Sequence, residues 1–362
     1  MKHSIVLGMV IAAGAMSIGV GAQQPQDLSR IIRVERLKDN LYVISGGGGN
    51  TVVFITTSGV VVVDAMNPGW GRPILETIKT LTDKPVTTLI NTHAHADHVS
   101  GNVDFPATVE IIAQRNTKKN MQKMIPDGAA PNQKRPERTI FQANGGRGLA
   151  TRTFRNRMTL FTGADEVDLY YFGRGHTDGD TWVVFPALGV VDMGDLFPGK
   201  TIPLVDAKNG GSAFEIGNTL DKGYKTIKNV DTIITGHGPE MTWTELRQYI
   251  AFNREFLEDM RDARRGRKSI NEVVETWKIP SRYQEYERPD PPVLKNNVEL
   301  AYKELTVADG LVPPAWQLPI GYGDYLPGGT SSGGSVPPVS ASPAPAPPPP
   351  DSNPGDSPPP PN

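Results

Sequence analysis

The 362-residue chain contains no cysteine. That absence excludes a disulfide framework, a cysteine nucleophile and every thiolate ligand, so any metal here is held by histidine nitrogen and carboxylate oxygen. Neither sign of charge is in excess: 37 Lys and Arg stand against 39 Asp and Glu, a formal net charge of −2. Composition therefore argues for neither nucleic acid nor an anionic membrane surface as a partner. No repeat of fixed period is visible. The apolar run from Ile5 to Val20 is short and rich in Gly and Ala, follows one lysine, and closes with Val20-Gly21-Ala22 before Gln23. It reads as a cleaved secretory signal peptide over residues 1–22 rather than a membrane span. No cysteine follows it to carry a lipid, so the expectation is a periplasmic or secreted protein with no stable membrane anchor.

The other end is equally unlike a core. Gly328 to Gly334 is Gly/Ser-rich, and Ser335 to Asn362 is dominated by Pro, Ser and Ala. Such a stretch cannot bury enough apolar surface to offset its ordering entropy, so residues 308–362 are expected to be a disordered tail. Residues 23–307 remain as one large domain.

Within that domain, Leu41 to Ser45 and Thr51 to Thr56 read as two strands joined across the glycine run Gly46 to Gly49. Val60 to Val63 is a β-branched run ending in Asp64, the pattern of a strand buried on both faces. Pro73 opens a helix with Ile74, Leu75, Ile78 and Leu81 at helical spacing. Further strands are expected at Val86 to Ile90, Val109 to Ala113, Glu166 to Phe172, Thr181 to Phe185, Val190 to Met193 and Asp231 to Thr235. Thr242 with Glu245, and Ser269 with Glu272, have capping-box spacing, so the domain turns helical from about residue 243. The basic stretch holding Arg115, Lys118, Lys119, Lys123, Lys134, Arg135, Arg138, Arg147, Arg152, Arg155 and Arg157 reads as a solvated insertion, or alternatively as a cationic rim for anionic substrates.

The chemistry concentrates at strand ends. Of six histidines, five follow apolar runs: His93, His95 and His98 after Ile90, His176 after Phe172, and His237 after Thr235. Asp97 lies inside the first group and Asp195 follows Met193-Gly194. A packed core does not tolerate that density of imidazole and carboxylate unless a cation compensates it. Five imidazoles and two carboxylates exceed one tetrahedral zinc and suit two ions sharing a bridging carboxylate. Nitrogen-rich ligation favours zinc over magnesium or calcium, with iron or manganese as alternatives.

His93-x-His95-x-Asp97-His98, Gly175-His176-Thr177, Gly194-Asp195 and Gly236-His237-Gly238, with Val60-Val61-Val62-Val63-Asp64 upstream, resemble in this order the metallo-β-lactamase superfamily. The likeness runs from about Tyr42 to Trp243. It implies an α/β fold, the αββα sandwich of two mixed β-sheets flanked by helices, with a two-metal site on one edge. It also implies that His93, His95 and His176 hold a first Zn2+, that Asp97, His98 and His237 hold a second, and that Asp195 bridges them. Asp64 would orient a ligand. The implied reaction is attack of a metal-activated hydroxide on a carbonyl, with Asp97 orienting it and passing its proton on. An aspartate at position 195 is the pattern of the glyoxalase II-like and lactonase branches, whereas export suits β-lactams; lactone, ester and β-lactam substrates all stay open. A phosphoester or thioester hydrolase of the same fold, and a non-catalytic metal-binding protein, are the alternatives. Lys200, Asn209 and Trp70 are candidate contacts to a small-molecule substrate.

Overall fold

The computed structural model describes residues 31–124 and 138–309. The expected signal peptide, the tail from residue 310 on, and Lys134 and Arg135 lie outside those residues; residue 308, where the tail was expected to begin, still belongs to the last helix. Arg33–Lys38 (β1), Leu41–Ser45 (β2), Thr51–Ile55 (β3), Val60–Val63 (β4), Val86–Asn91 (β5), Glu110–Gln114 (β6) and Arg152–Phe154 (β7) hydrogen-bond in that order into one sheet. Its first four strands are antiparallel and β4 to β7 run parallel. Arg157–Leu160 (β8), Val167–Tyr170 (β9), Trp182–Phe185 (β10), Val190–Asp192 (β11), Thr232–Ile234 (β12) and Met241–Thr242 (β13) form a second sheet, antiparallel except between β11 and β12. The helices are Gly71–Leu81 (α1), Ala96–Val99 (α2), Arg115–Met121 (α3), Ile140–Ala143 (α4), Ile216–Thr226 (α5), Trp243–Arg265 (α6), Ile270–Thr276 (α7) and Pro291–Ala308 (α8).

The two-residue period of the strands sorts the core into layers. Val61, Val63 and Phe54 of the first sheet face Val183, Phe185 and Ile234 of the second, and the Phe54 and Phe185 rings meet edge-on at 5.1 Å. One residue along, Val60 and Val62 turn outward against Ile74 and Ile78 of α1. The outer face of the second sheet, through Trp182, Val191 and Ile233, packs on Leu220 of α5, Leu246 of α6 and Leu294 and Val298 of α8. The result is the expected sandwich, two mixed sheets flanked by helices. Each large side chain buried in these layers contributes about 1.5–3 kcal/mol relative to exposure, so the sheets do not rely on the loops at their edge for stability.

Both capping boxes form, at Thr242 with Glu245 and at Ser269 with Glu272. Helix α1 begins two residues before Pro73, which the first turn accepts because an N–H there has no helical partner. The basic stretch is not wholly an insertion: it contains α3 and supplies β7 and β8 to the sheet edges. Arg152 and Arg157 are paired there with Glu110 and Asp168. Among the described residues no helix is long and apolar enough to cross a membrane.

Candidate metal centre

Each ligand-type side chain leaves the chain just beyond a strand, where the backbone has quit its ladder. His93 and His95 follow β5, Asp97 and His98 lie on α2, His176 follows β9, Asp195 follows β11 and His237 follows β12. Asp64 follows β4 with φ of 59°, a left-handed conformation that aspartate tolerates better than most residues. Its carboxylate accepts hydrogen bonds from Thr92 N at 2.9 Å, Thr92 Oγ1 at 2.5 Å and His98 Nδ1 at 2.7 Å. One carboxylate thereby ties the ends of β4 and β5 to α2.

The outer nitrogens of four imidazoles each have a partner that assigns their proton. His98 Nδ1 donates to Asp64. Thr92 Oγ1 spends its own proton on Asp64, so it accepts from His93 Nδ1 at 3.0 Å. His95 Nε2 donates to Asp206 Oδ2 at 2.8 Å, and His176 Nδ1 donates to the Leu204 carbonyl. In the neutral rings these inner nitrogens are therefore lone pairs, and His95 Nδ1 and His176 Nε2 converge at 3.0 Å, while His98 Nε2 lies 3.4 Å from Nε2 of His237, which is not among these four rings. Lone pairs facing at such distances repel unless a cation lies among them.

Asp195 stands between the two groups. Its Oδ1 is 3.3 Å from His98 Nε2, while its Oδ2 is 3.4 Å from His237 Nε2, 3.6 Å from His93 Nε2 and 3.7 Å from His176 Nε2. Asp97 Oδ2 is 3.1 Å from His237 Nε2. His93 Nε2 and Asp195 Oδ1 are buried with no hydrogen-bond partner, which a protein normally avoids at a cost of about 1–3 kcal/mol per group. The donor set (His93, His95, His176 and Asp195, and beside it Asp97, His98 and His237) brings one atom per residue within 4.8 Å of its fellows. This fits divalent metal.

The electrostatics divide the same way. Burial holds His93 well below the ordinary histidine range and lowers His176 to about 4, which leaves both neutral with lone pairs free. Burial also works against protonation of His98, but Asp195 and Asp64 outweigh it and hold that ring well above its ordinary value. Hydrogen bonds to Asp195 and Asp97 raise His237 to about 9. Burial would raise Asp195, yet the charge on His98 and hydrogen bonds from His237 and His98 overcome it and keep the carboxylate ionised. The carboxylates thus call for positive charge at this point, which protons on two imidazoles or a divalent cation can supply.

Two glycines admit the cluster. A methyl on Gly236 would overlap Asp195 Oδ1, and one on Gly49 would sit 2.5 Å from His98 Cε1. The glycine run between β2 and β3 is thus seated on the centre, with Gly49 N donating to Asp97 O and Asn50 N to Gly236 O.

A cavity of about 800 Å3 opens over the cluster, with His95, Asp97, His176, Asp195 and His237 at its floor and Asn67, Pro198, Leu204, Lys208 and Asn296 on its walls. The three residues expected to touch substrate are not among its lining. Lys200 pairs with Glu285 and, at 3.2 Å, with Glu245. Asn209 donates to Asp206 Oδ2 at 2.6 Å. Trp70 packs beneath the glycine run at Gly47. Asp180 is buried, accepting from Thr177 N and Oγ1, and burial pushes its carboxyl up to about 7. Asp206 was invisible to sequence reasoning as a histidine partner. Its setting before Lys208-Asn209-Gly210 signals a turn, and it does cap one, accepting from Lys208 N and Asn209 N.

The model of the metallo-β-lactamase superfamily matches residues 44–237, a span that contains all seven ligand-type residues. The chain belongs to that superfamily. It is 26% identical over 257 residues to a metallo-β-lactamase type 2 of Elizabethkingia meningoseptica, covering 66% of this chain and 89% of that one. It is also 28% identical over 176 residues to the 2,4-dinitroanisole O-demethylase subunit alpha of Nocardioides sp. (strain JS1661), 47% of this chain and 48% of the relative. Among solved structures, a stereoselective inverting sec-alkylsulfatase from Pseudomonas sp. superposes with a TM-score of 0.58 at 16% identity, covering 79% of this chain and 53% of that one, a likeness of fold. Membership makes this superfamily chain a metal-dependent hydrolase with His/Asp metal-binding groups.

Proposed function

We propose that this superfamily member is an exported two-zinc hydrolase that cleaves a carbonyl-centred bond of a lactone, ester or β-lactam. The observation that carries the reading is the placing of the Asp195 carboxylate between the two groups of ligands, with Oδ1 toward His98 and Oδ2 toward His237 as well as His93 and His176. A first ion would be held by His93, His95 and His176, a second by Asp97, His98 and His237, with Asp195 common to both. When bound, the ions supply Lewis acidity, lowering the pKa of a water and polarising the substrate carbonyl. Asp97 is 30% exposed at the cavity floor, and His237 and His98 keep it ionised against the effect of burial. It is the group in position to take a proton from the attacking water and return it to the leaving atom. Asp64 contributes orientation by fixing Nδ1 of His98, so that only Nε2 faces the centre. Leu204 and Pro198 give the cavity an apolar wall, and Lys208 gives it one cation on the described rim.

The test is turnover of a chromogenic cephalosporin, a lactone series, aryl esters, thioesters and phosphoesters by the purified protein. Each is measured as isolated, after chelation and after return of zinc. Chelation should abolish hydrolysis of at least one carbonyl substrate and two equivalents of zinc should restore it. Hydrolysis confined to phosphoesters would replace the carbonyl reading, and two bound zinc ions with no turnover in any arm would remove the enzyme.

A further inference from the structure

Helix α8 lies beyond the span that the superfamily model matches, yet its side chains reach the centre's surroundings. The stretch 203–206 belongs to no helix or strand. It carries both groups that orient the first site: the Leu204 carbonyl, which accepts from His176 Nδ1, and the Asp206 carboxylate, which accepts from His95 Nε2. Backbone without a ladder needs other partners to stay in place.

Those partners come from α8. Asn297 is fully buried, donates through Nδ2 to Pro203 O at 2.7 Å and accepts through Oδ1 from Val205 N at 3.2 Å. Its neighbour Asn296 donates to Val205 O at 2.8 Å. The two amides thus grip the backbone on both sides of Leu204. Two turns along, Glu304 accepts from Phe214 N at 2.9 Å and lies 3.4 Å from Arg174, whose guanidinium donates to the Gly210 and Gly211 carbonyls. The helix that supplies these groups is anchored by buried Leu294, Val298, Ala301 and Leu305.

We infer that α8 is a positioning brace for the first metal site: Asn297 and Asn296 clamp residues 203–205, and through Leu204 and Asp206 that clamp holds His176 and His95 in the tautomer and orientation that face the centre. The inference rests on the proposed two-zinc reading. Partners that orient a ligand histidine are worth about 10–100-fold in metal affinity, and a group acting one residue further out falls at the low end, about tenfold.

The experiment uses the full chain, stripped of metal and titrated with zinc against a fluorescent chelator, in the parent and in Asn297→Leu and Asn296→Ala. The metal-free melting temperature and the visible spectrum of the Co2+-loaded protein are recorded alongside. The brace requires the first zinc to bind about tenfold more weakly in Asn297→Leu, with the second step unchanged and the Co2+ bands altered. A folded variant with parental affinity at the first step, or with equal loss at both, overturns it. Should Asn297→Leu fail to fold, Asn296→Ala, which at a half-buried position removes the hydrogen bonds to Val205 O and to Asn297 Oδ1, decides by the same criteria. A parent that takes up no zinc overturns the two-zinc reading and the brace with it, whereas failure of the brace alone leaves the parent's two-step binding intact.

Discussion

Replacing Asp206 by asparagine tests the arrangement of the first site more sharply than removing a ligand. All four of the carboxylate's hydrogen bonds are accepted: Oδ2 takes His95 Nε2 and Asn209 Nδ2, and Oδ1 takes Lys208 N and Asn209 N. An amide has one accepting oxygen, so Asp206→Asn must fail on one side. If its oxygen keeps the turn, its NH2 faces His95, and the ring moves its proton to Nδ1, the atom that points to the centre. If its oxygen keeps His95, the two backbone donors lose their cap. A hydrogen bond to a charged group contributes about 1.5–3 kcal/mol. His95 and Asp206 are 21% and 18% exposed, which argues for the lower part of that range, about 1.5–2 kcal/mol or roughly 10–30-fold in zinc affinity. Stepwise zinc titration against a chelator should show that loss at the first site alone, and turnover should recover in part at high zinc. An unchanged first affinity in a folded variant, or a loss confined to the second ion, would refute the reasoning.

Gly49→Ala and Gly236→Ala should lower zinc occupancy while the far-ultraviolet circular dichroism stays parental, because the added methyls meet His98 and Asp195 rather than the sheets; full occupancy in both variants would show that the cluster yields to them. Burial, then the adjacent Asp64, pushes Asp192 up to about 8. An unfolded aspartate ionises near about 3.9, so between those values the folded chain binds the extra proton and stability is lost as pH rises. Asp192→Asn, which keeps the oxygen that accepts from Gly194 N, should raise the metal-free melting temperature at pH 8 and much less at pH 5; an equal gain at both would contradict the assignment. Lys200→Ala should leave KM within about twofold, its charge being engaged by Glu245 and Glu285. Lys208→Ala should raise KM several-fold for carboxylate-bearing substrates only, and a reversal of the two effects would put the substrate on the other side of the cavity.

The strands legible in the sequence were those buried on both faces, such as Val60–Val63, or followed within a few residues by a histidine, such as Val86–Asn91. Burial imposes β-branched composition, and composition can be read. The edge strand Arg33–Lys38 carries no such mark, because four of its six residues are exposed and most are charged. Helix α8 opens Pro-Pro and holds two adjacent asparagines, poor helix formers whose presence is explained only by the backbone they grip.

The same division runs through the centre. Residue type and spacing alone determined which side chains could bind a metal, since imidazole and carboxylate at that density have no other stable use in an apolar setting, and the missing cysteine removed every sulfur ligand. Where each proton sits was decided by tertiary structure. Asp64, Thr92 and the stretch that holds Leu204 and Asp206 come from three separate places in the chain, and folding sets them against the outer nitrogens of the histidines. Substrate contacts shifted for the same reason. A side chain's role depends on which charge it meets first, and Lys200 meets two carboxylates before it can reach the cavity.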